Sequence, residues 1–346
     1  MFSTNIRQYL LMLAIIAVSG YAMSKVRDTF DKKDDEYDLI KKYLLNESPL
    51  YGNNRTKLWI HSKYELNTRK WKDFYSRSST DLNQPYIHLT IKTIINHCGN
   101  DFNICLIDDE TFSKLIPTWD IDLTRIAEPM RSHFRELGMM ELLYIYGGMV
   151  VPNSFVCTKN LKPLYNDYAN DGKPFICENI NHSTDISKQS MRPLFTPDTF
   201  FMGCHKNDPT MRKLVDYLKM KNRTPHFSSE SDFRGDTSQK CIEFIRNDEM
   251  NLVSGQKIGV KTNKKTPILL DDLMEEEFLD VPADMVGVYI PADEILSRPK
   301  YQWFAVLPGE QLLQTRLIIA KYLIASLADG IPDINKSSSG NRISSI

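Results

Sequence analysis

The segment HFRELGMMELLYIYGGMVVPNSF, residues 133–155, decides the fold. Its apolar residues recur at the spacing of one helix face: Phe134, Leu137, Met140 and Tyr144. The pattern predicts a helix over Ser132–Tyr146, with Ser132 as its cap and the Gly147-Gly148 pair ending it. Met149–Val151 then forms a short apolar strand. A helix that leads directly into a strand is typical of an α/β protein.

The flanking sequence repeats this alternation of strands and helices. Lys57–His61 and Phe102–Ile107 read as strands, and Tyr86–Cys98 between them reads as a helix, which makes a βαβ unit. Further elements are predicted at Phe175–Cys177, Thr199–Met202, Pro209–Lys221, Ser238–Asn247 and Gln311–Leu327. We expect a mostly parallel sheet flanked by helices, with its functional site at the carboxyl ends of the strands.

The N-terminal 24 residues differ from the rest in composition. Tyr9–Met23 contains no charged residue, but it is shorter than the roughly 20 residues that span a bilayer. A membrane anchor, a cleaved signal segment and a buried or amphipathic helix all stay open. We expect a single-pass membrane protein anchored near its N-terminus, on a side of the membrane that the flanking charges do not fix.

The remaining chain divides into three parts. Residues 25–55 form a mixed-charge stalk and a lead-in helix, residues 56–330 form the folded domain, and residues 331–346 form a disordered tail.

Composition excludes some classes of function. With 43 basic and 44 acidic residues the net charge is −1, and no basic stripe is present, so nucleic acid is not an expected partner. The six cysteines include no CxxC pair, which argues against a zinc ribbon. Disulfides stay open if the domain lies in an oxidising compartment, but their pairing cannot be read from sequence.

Three segments together resemble one protein family. They are KLWIHS (57–62), FNICLIDDETFSKLI (102–116) and the helix and strand of residues 133–155. They resemble the nucleotide-sugar half of GT-A glycosyltransferases of the capsular-polysaccharide-synthesis and DxD sugar-binding type. The sequence of residues 76–98 is most similar to that of glycosyltransferase-like proteins of large DNA viruses. The resemblance implies a GT-A-like fold, a nucleotide-sugar donor and a glycan or protein acceptor.

The metal-binding acids of that family are missing here. In relatives the strand after the two glycines carries a DxD motif, whose acids hold a divalent cation at the diphosphate. The corresponding residues are Pro152, Asn153 and Ser154. Mg²⁺ and Mn²⁺ prefer charged oxygen ligands, so the sequence predicts a degenerate DxD, no metal site and no cofactor.

Six residues are candidates for binding the donor: Trp59, His61, Asp108, Asp109, His133 and Glu136. Each has a structural explanation as well. The two aspartates suit a helix cap, the glutamate suits a solvated first-turn acid, Trp59 and His61 suit the core and rim of a strand, and the remaining histidine suits a structural role. Where relatives carry an arginine, this chain has Met139, and Arg135 does not stand at that helix position. The catalytic residues stay unknown.

Two functions follow. The first is a glycosyltransferase that moves a sugar from a nucleotide donor to a glycan or protein. The second is a catalytically inactive pseudo-glycosyltransferase that serves as a membrane-tethered binding or structural component, such as part of a virion.

The membrane anchor predicts a simple fractionation result. The full-length chain should stay in the membrane pellet after alkaline carbonate washing, because a hydrocarbon-embedded segment resists extraction by pH and salt. A chain that begins at Asp35 is the control and should be soluble. Release of the full-length chain into the wash would contradict the anchor.

Overall fold

The computed structural model describes residues 55–62, 84–179, 197–223 and 230–329. The anchor, all but the last residue of the stalk and lead-in helix, and the C-terminal tail lie outside these ranges. Among the helices of the described ranges, none combines the length and the apolar content that crossing a membrane requires.

The described elements alternate between strands and helices. In chain order they are β1 (Thr56–His61), α1 (Pro85–Cys98), β2 (Phe102–Ile107), α2 (Thr111–Leu115), α3 (Met130–Tyr146), β3 (Gly148–Val150), β4 (Phe155–Cys157), α4 (Lys162–Ala169), β5 (Phe175–Glu178), β6 (Pro197–Cys204), α5 (Pro209–Arg223), α6 (Glu230–Arg246), β7 (Asn251–Val253), α7 (Leu270–Leu273), β8 (Gly287–Tyr289), α8 (Ala292–Ser297), α9 (Gln302–Ala305), α10 (Gly309–Leu313) and α11 (Ile318–Asp329). Single 3-10 turns lie at Leu123–Arg125 and Pro299–Tyr301.

The main sheet has six strands in the order β2-β1-β3-β6-β5-β7. β1 pairs in parallel with β2 and β3, and β5 pairs in parallel with β7, whereas β6 runs antiparallel to both β3 and β5. Five strands therefore share one direction, and only β6 opposes them. This confirms a mixed α/β fold with a mostly parallel central sheet and flanking helices.

Two apolar clusters surround the strands. The first lies between the sheet and helices α3, α5 and α6, and contains Trp59, Leu143 and Leu214. The second packs α1 against β4 and α11, around Tyr86, Val156 and Leu323. Helices thus bury apolar residues over the strands, as the near-continuous apolar runs of a parallel sheet require.

Several predicted boundaries need correction. Helix α3 begins at Met130 instead of Ser132; Pro129 stands at the cap position without a side-chain bond, and the carboxylate of Glu128 accepts hydrogen bonds from the amide and hydroxyl of Ser132. The predicted helix over residues 311–327 is two helices, α10 and α11, separated by a short break. The two-stranded antiparallel sheet of β4 and β8 was not predicted, because strands of three residues carry too little periodicity.

The Gly147-Gly148 pair joins α3 to the centre of the sheet. Both residues have positive φ angles, 69° and 103°, a region that residues with a side chain rarely adopt. A Cβ atom on Gly148 would lie 2.2 Å from the carbonyl oxygen of Lys57 on the neighbouring strand. The carbonyl oxygen of Gly147 accepts a hydrogen bond of 3.0 Å from the indole of Trp59. Glycine is therefore required at this turn for two reasons, conformation and space.

Gly148→Ala should lower the free energy of unfolding by at least about 2 kcal/mol, because it combines an unfavourable φ with a clash against backbone. The matched control is Gly172→Ala, where φ is +77° but a Cβ would meet nothing within 4 Å. The control should cost about 1 kcal/mol, from the backbone conformation alone. Urea titration of both variants tests the comparison, and equal losses would refute the steric argument.

Candidate functional site

Polar side chains collect at the carboxyl edge of the parallel strands. His61 ends β1, Asp108 and Asp109 follow β2, and residues 152–154 follow the strand β3. Because β6 runs in the opposite direction, its first residues, including Thr199, lie at this same edge. Ligands of open α/β sheets bind at such an edge, so it is the candidate site.

Two of these side chains, His61 and Asp109, form a partly buried charge cluster with Arg135 of α3. The guanidinium of Arg135 donates two hydrogen bonds to the carboxylate of Asp109, from Nε to Oδ1 and from Nη2 to Oδ2, both of 2.8 Å. His61 Nε2 lies 2.9 Å from Asp109 Oδ1. The side chains of His61, Asp109 and Arg135 are 15%, 14% and 22% exposed. Such a bidentate pair fixes the end of β2 against α3.

The cluster sets the protonation of its members. Burial on its own raises the pKa of Asp109, but the hydrogen bonds from Arg135 and His61 outweigh it and hold that pKa well below its usual range. Burial lowers the pKa of His61, against the hydrogen bond to Asp109 that raises it. The imidazole is therefore neutral near pH 7 and donates its Nε2 proton to the carboxylate. The carboxylate balances the charge of Arg135.

Sequence reasoning did not identify Arg135 as a residue of this site. Its guanidinium binds Asp109. It does not replace the arginine of the related family, because that position is occupied here by Met139, which is buried. The sequence feature that could have indicated Arg135 is Asp109, since a partly buried carboxylate at a strand end requires a cation or several hydrogen-bond donors.

Asp108 and Asp109 have different roles. Asp108 Oδ1 accepts hydrogen bonds from the amides of Glu110 and Thr111, at 3.1 and 3.0 Å, and from the Thr111 hydroxyl at 2.6 Å. Asp108 therefore fixes the turn that starts α2, which is the cap role that the sequence left open. Asp109 belongs to the charge cluster.

Trp59 and His133 lie away from the exposed edge. Trp59 has no exposed surface, packs against Tyr146 and uses its indole N–H on Gly147, so in this structure its ring is a core group and does not stack on a base. His133 is buried in α3, and burial lowers its pKa against the charge of Glu128, which raises it. Both positions fit the structural explanations better than donor binding.

Glu136 follows Arg135 in the chain and points about 100° around α3 from it. Its Oε1 accepts a hydrogen bond of 2.6 Å from the hydroxyl of Thr199 at the start of β6. Glu136 is the seventh residue of α3, so it is not the first-turn acid of the alternative explanation. Arg135 and Glu136 thus extend from one helix toward β2 and β6, and α3 lies above the edge between them.

A second acid, Asp198, precedes Thr199 in the chain. Asp198 on β6 accepts a weak hydrogen bond of 3.4 Å from Asn179, the residue after β5. Burial raises the pKa of the Cys241 thiol, and the charges of Glu136 and Asp198 raise it further, which places both carboxylates near this sulfur. The β6 end of the edge therefore carries two acids and an amide.

At the β5 end the structure shows an ion pair that the sequence did not indicate. Glu178, almost fully buried, pairs with Lys261 and accepts a hydrogen bond of 3.1 Å from the amide of Gly255. The charges at this end are therefore also paired with each other.

The residues at the DxD position form a structural turn. The hydroxyl of Ser154, 2% exposed, donates to the carbonyl oxygen of Ile290 at 2.7 Å. The backbone oxygen of Asn153 accepts a hydrogen bond from the Thr90 hydroxyl. Pro152 has no side-chain ligand atom. These residues do not fit a divalent cation, and in the described ranges no three His, Cys, Asp or Glu side chains are grouped to hold a metal ion.

Comparisons with known proteins add little. No family model and no curated protein matches the sequence. Among solved structures the chain is similar to one named "PaToxG Glycosyltransferase", with 13% sequence identity and a TM-score of 0.34, over 56% of this chain and 70% of that chain. So distant a likeness determines neither the fold family nor the function of this chain.

The charge cluster predicts a pH-dependent stability. Asp109→Asn should lower the free energy of unfolding at pH 7 by about 3 kcal/mol, because Arg135 loses its charge partner in an enclosed position. The folded-state pKa of Asp109 is lowered, so its contribution is complete above the ordinary value of about 4 and is lost as the pH falls below it. The difference between wild type and variant should therefore shrink below about pH 4.

Denaturant titrations at several pH values measure this difference. Asp122→Asn is the control, since Asp122 pairs with Arg125 at an exposed turn, and it should have a much smaller effect. A loss for Asp109→Asn that is the same at pH 3 and pH 7 would show that the charge of Asp109 does not stabilise the fold.

Proposed function

We propose that the chain is a glycosyltransferase-like protein that binds a nucleotide sugar at the carboxyl edge of its sheet. The observation that supports this most is the placement of Glu136. This acid stands on α3, above the strand ends, and is held by Thr199. A carboxylate can accept several hydrogen bonds at once, and the bond from Thr199 fixes this one at the strand ends.

In this proposal Glu136 accepts hydrogen bonds from sugar hydroxyls. The donor lies along the edge, with its nucleoside toward His61 at the end of β1 and Asp109 after β2, and its sugar toward Glu136 and Asp198 near β6. The acceptor is a glycan or a protein. Asp198 is the second acid on the sugar side of this arrangement, and it is our candidate for the general base.

The donor binds without a cation at residues 152–154. In metal-dependent relatives the cation neutralises the negative charge that develops on the departing diphosphate. Pro152, Asn153 and Ser154 offer no carboxylate for that purpose, and the Ser154 hydroxyl is bonded to backbone. Any transfer would therefore be independent of Mg²⁺ and Mn²⁺ at this position.

A second candidate function is supported by the pairing of the charges. Arg135 is paired with Asp109, and Lys261 with Glu178, so these cations are balanced by acids of the chain itself. A site arranged in this way supplies little positive charge to a leaving diphosphate. This favours a pseudo-glycosyltransferase that binds sugars or sugar nucleotides but does not transfer them. In both cases we propose that an N-terminal anchor holds the protein at a membrane.

Calorimetric titration with nucleotide sugars and their parent nucleotides tests the donor site. Glu136→Gln should weaken binding of a nucleotide sugar about tenfold or more and leave the bare nucleotide almost unchanged, because hydrogen bonds to a charged acceptor contribute roughly 1.5–3 kcal/mol. Affinity should be the same with Mn²⁺ and with EDTA. A tenfold tightening by Mn²⁺, about 1.4 kcal/mol, would show that other acids hold a metal.

Glu141→Gln is the matched control. Glu141 lies on the same helix, but it pairs with Lys219 on α5 at 2.6 Å, on another side of α3. This variant should bind sugar nucleotides as the wild type does. Loss of sugar selectivity in both variants would point to a general effect on α3, and absence of binding by the wild type would refute the donor site. A radiolabelled transfer and hydrolysis assay then separates the two functions.

A further inference from the structure

The six cysteines of the chain all lie in its described part, and all are buried. Two of them are in contact: the sulfur atoms of Cys98 and Cys157 are 3.8 Å apart. Cys157 also donates to the backbone carbonyl of Lys159 at 3.0 Å, whereas Cys105 and Cys204 donate only to the carbonyls of Asn103 and Leu143 among the bonds of the described residues. The structure therefore distinguishes one pair that no motif in the sequence indicates.

The backbones that carry this pair are held close together. Cys98 is the last residue of α1, and Cys157 is the last residue of β4. The amide of Cys157 donates to the hydroxyl of Thr93, one turn earlier on α1, at 2.9 Å. The carbonyl oxygen of Cys157 accepts a hydrogen bond from the Ser326 hydroxyl on α11. Helix and strand are thus fixed in register on both sides of the two sulfurs.

We propose that Cys98 and Cys157 form an intramolecular disulfide when the chain meets a disulfide oxidant. A disulfide bond is about 2.05 Å long, so the sulfurs must approach by about 1.8 Å from their contact distance of 3.8 Å. Rotation of the two side chains supplies a movement of this size, without a change in the pairing of helix and strand. This inference does not depend on the proposed function.

The chemistry is thiol–disulfide exchange. The thiolate of Cys98 attacks one sulfur of the oxidant and forms a mixed disulfide, and one thiolate of the oxidant leaves. The thiolate of Cys157 then attacks the sulfur of Cys98, and the second thiolate leaves. Two protein thiols are oxidised by two electrons, the oxidant is reduced to two thiols, and the two protons pass to the released thiolates.

The two thiols differ in their surroundings. The contact with Cys157 lowers the pKa of Cys98, against burial, which raises it. Burial raises the pKa of Cys157 well above its usual value. Because both sulfurs are covered in the folded chain, exchange takes place during folding or through local opening.

The crosslink would join residues 59 positions apart in the sequence. The closed loop contains β2, α3 and β3, and with them most of the candidate site. Asn153, whose backbone accepts the Thr90 hydroxyl of α1, lies four residues before Cys157. Oxidation would therefore also restrict the turn at the degenerate DxD position.

Peptide mapping under non-reducing conditions tests the proposal directly. The full chain is refolded with oxidised and reduced glutathione, blocked with an alkylating agent and digested. We expect one crosslinked peptide pair, containing Cys98 and Cys157, and four alkylated cysteines. The oxidised chain should melt on the order of 5–10 °C above the reduced chain, as a crosslink over a loop of this length constrains the unfolded state.

Variants assign the effect to this pair. Cys98→Ala and Cys157→Ala should each abolish the rise in melting temperature, whereas Cys105→Ala, which removes an equally buried thiol on β2, should keep it. If a variant does not fold, the peptide map of the wild-type chain still tests whether Cys98 and Cys157 are crosslinked. Six alkylated cysteines after refolding with oxidised glutathione, or a crosslink between other cysteines, would overturn the proposal.

Discussion

The turn at Gly147 and Gly148 is the constraint on which the arrangement of the site depends. It connects α3 to β3 with no intervening loop, and β3 lies between β1 and β6 in the middle of the sheet. Because Trp59 of β1 donates to the carbonyl oxygen of Gly147, the turn is also tied to the adjacent strand. A helix that ends at the centre of a sheet must extend back over it. The residues early in α3 are therefore placed where the strands β1 and β3 end.

This position explains why α3 carries charges that need partners. Arg135 and Glu136 lie about two and a half to three turns before the end of the helix, close to the sheet edge and only partly exposed. A charge that leaves water without a partner costs several kcal/mol, so each is matched by a group on a strand end. Asp109 balances the arginine, and the hydroxyl of Thr199 binds the glutamate. Folding and the chemistry of the edge are therefore linked through the same side chains.

The sequence predicted the strands and helices that have a clear period. The βαβ unit and the helix before the two glycines follow from apolar spacing, and the bounds of β2 are those expected. The sequence could not predict what depends on distant contacts. The bond between Arg135 and Asp109 joins residues 26 positions apart, and that between Glu136 and Thr199 joins residues 63 apart. Trp59 illustrates the same limit, since alternation in a strand does not show which face the fold covers.

The charge pairing also bears on whether the edge can catalyse transfer. For Arg135 to neutralise a diphosphate, it would have to leave Asp109, and the buried carboxylate would then lose its two strongest hydrogen bonds. That exchange would leave the carboxylate of Asp109 without its cation in a partly enclosed position, which costs several kcal/mol. The recognition of sugar hydroxyls that we propose for Glu136 leaves this ion pair intact. Binding of a sugar is thus compatible with the folded arrangement, whereas stabilisation of a leaving diphosphate competes with it.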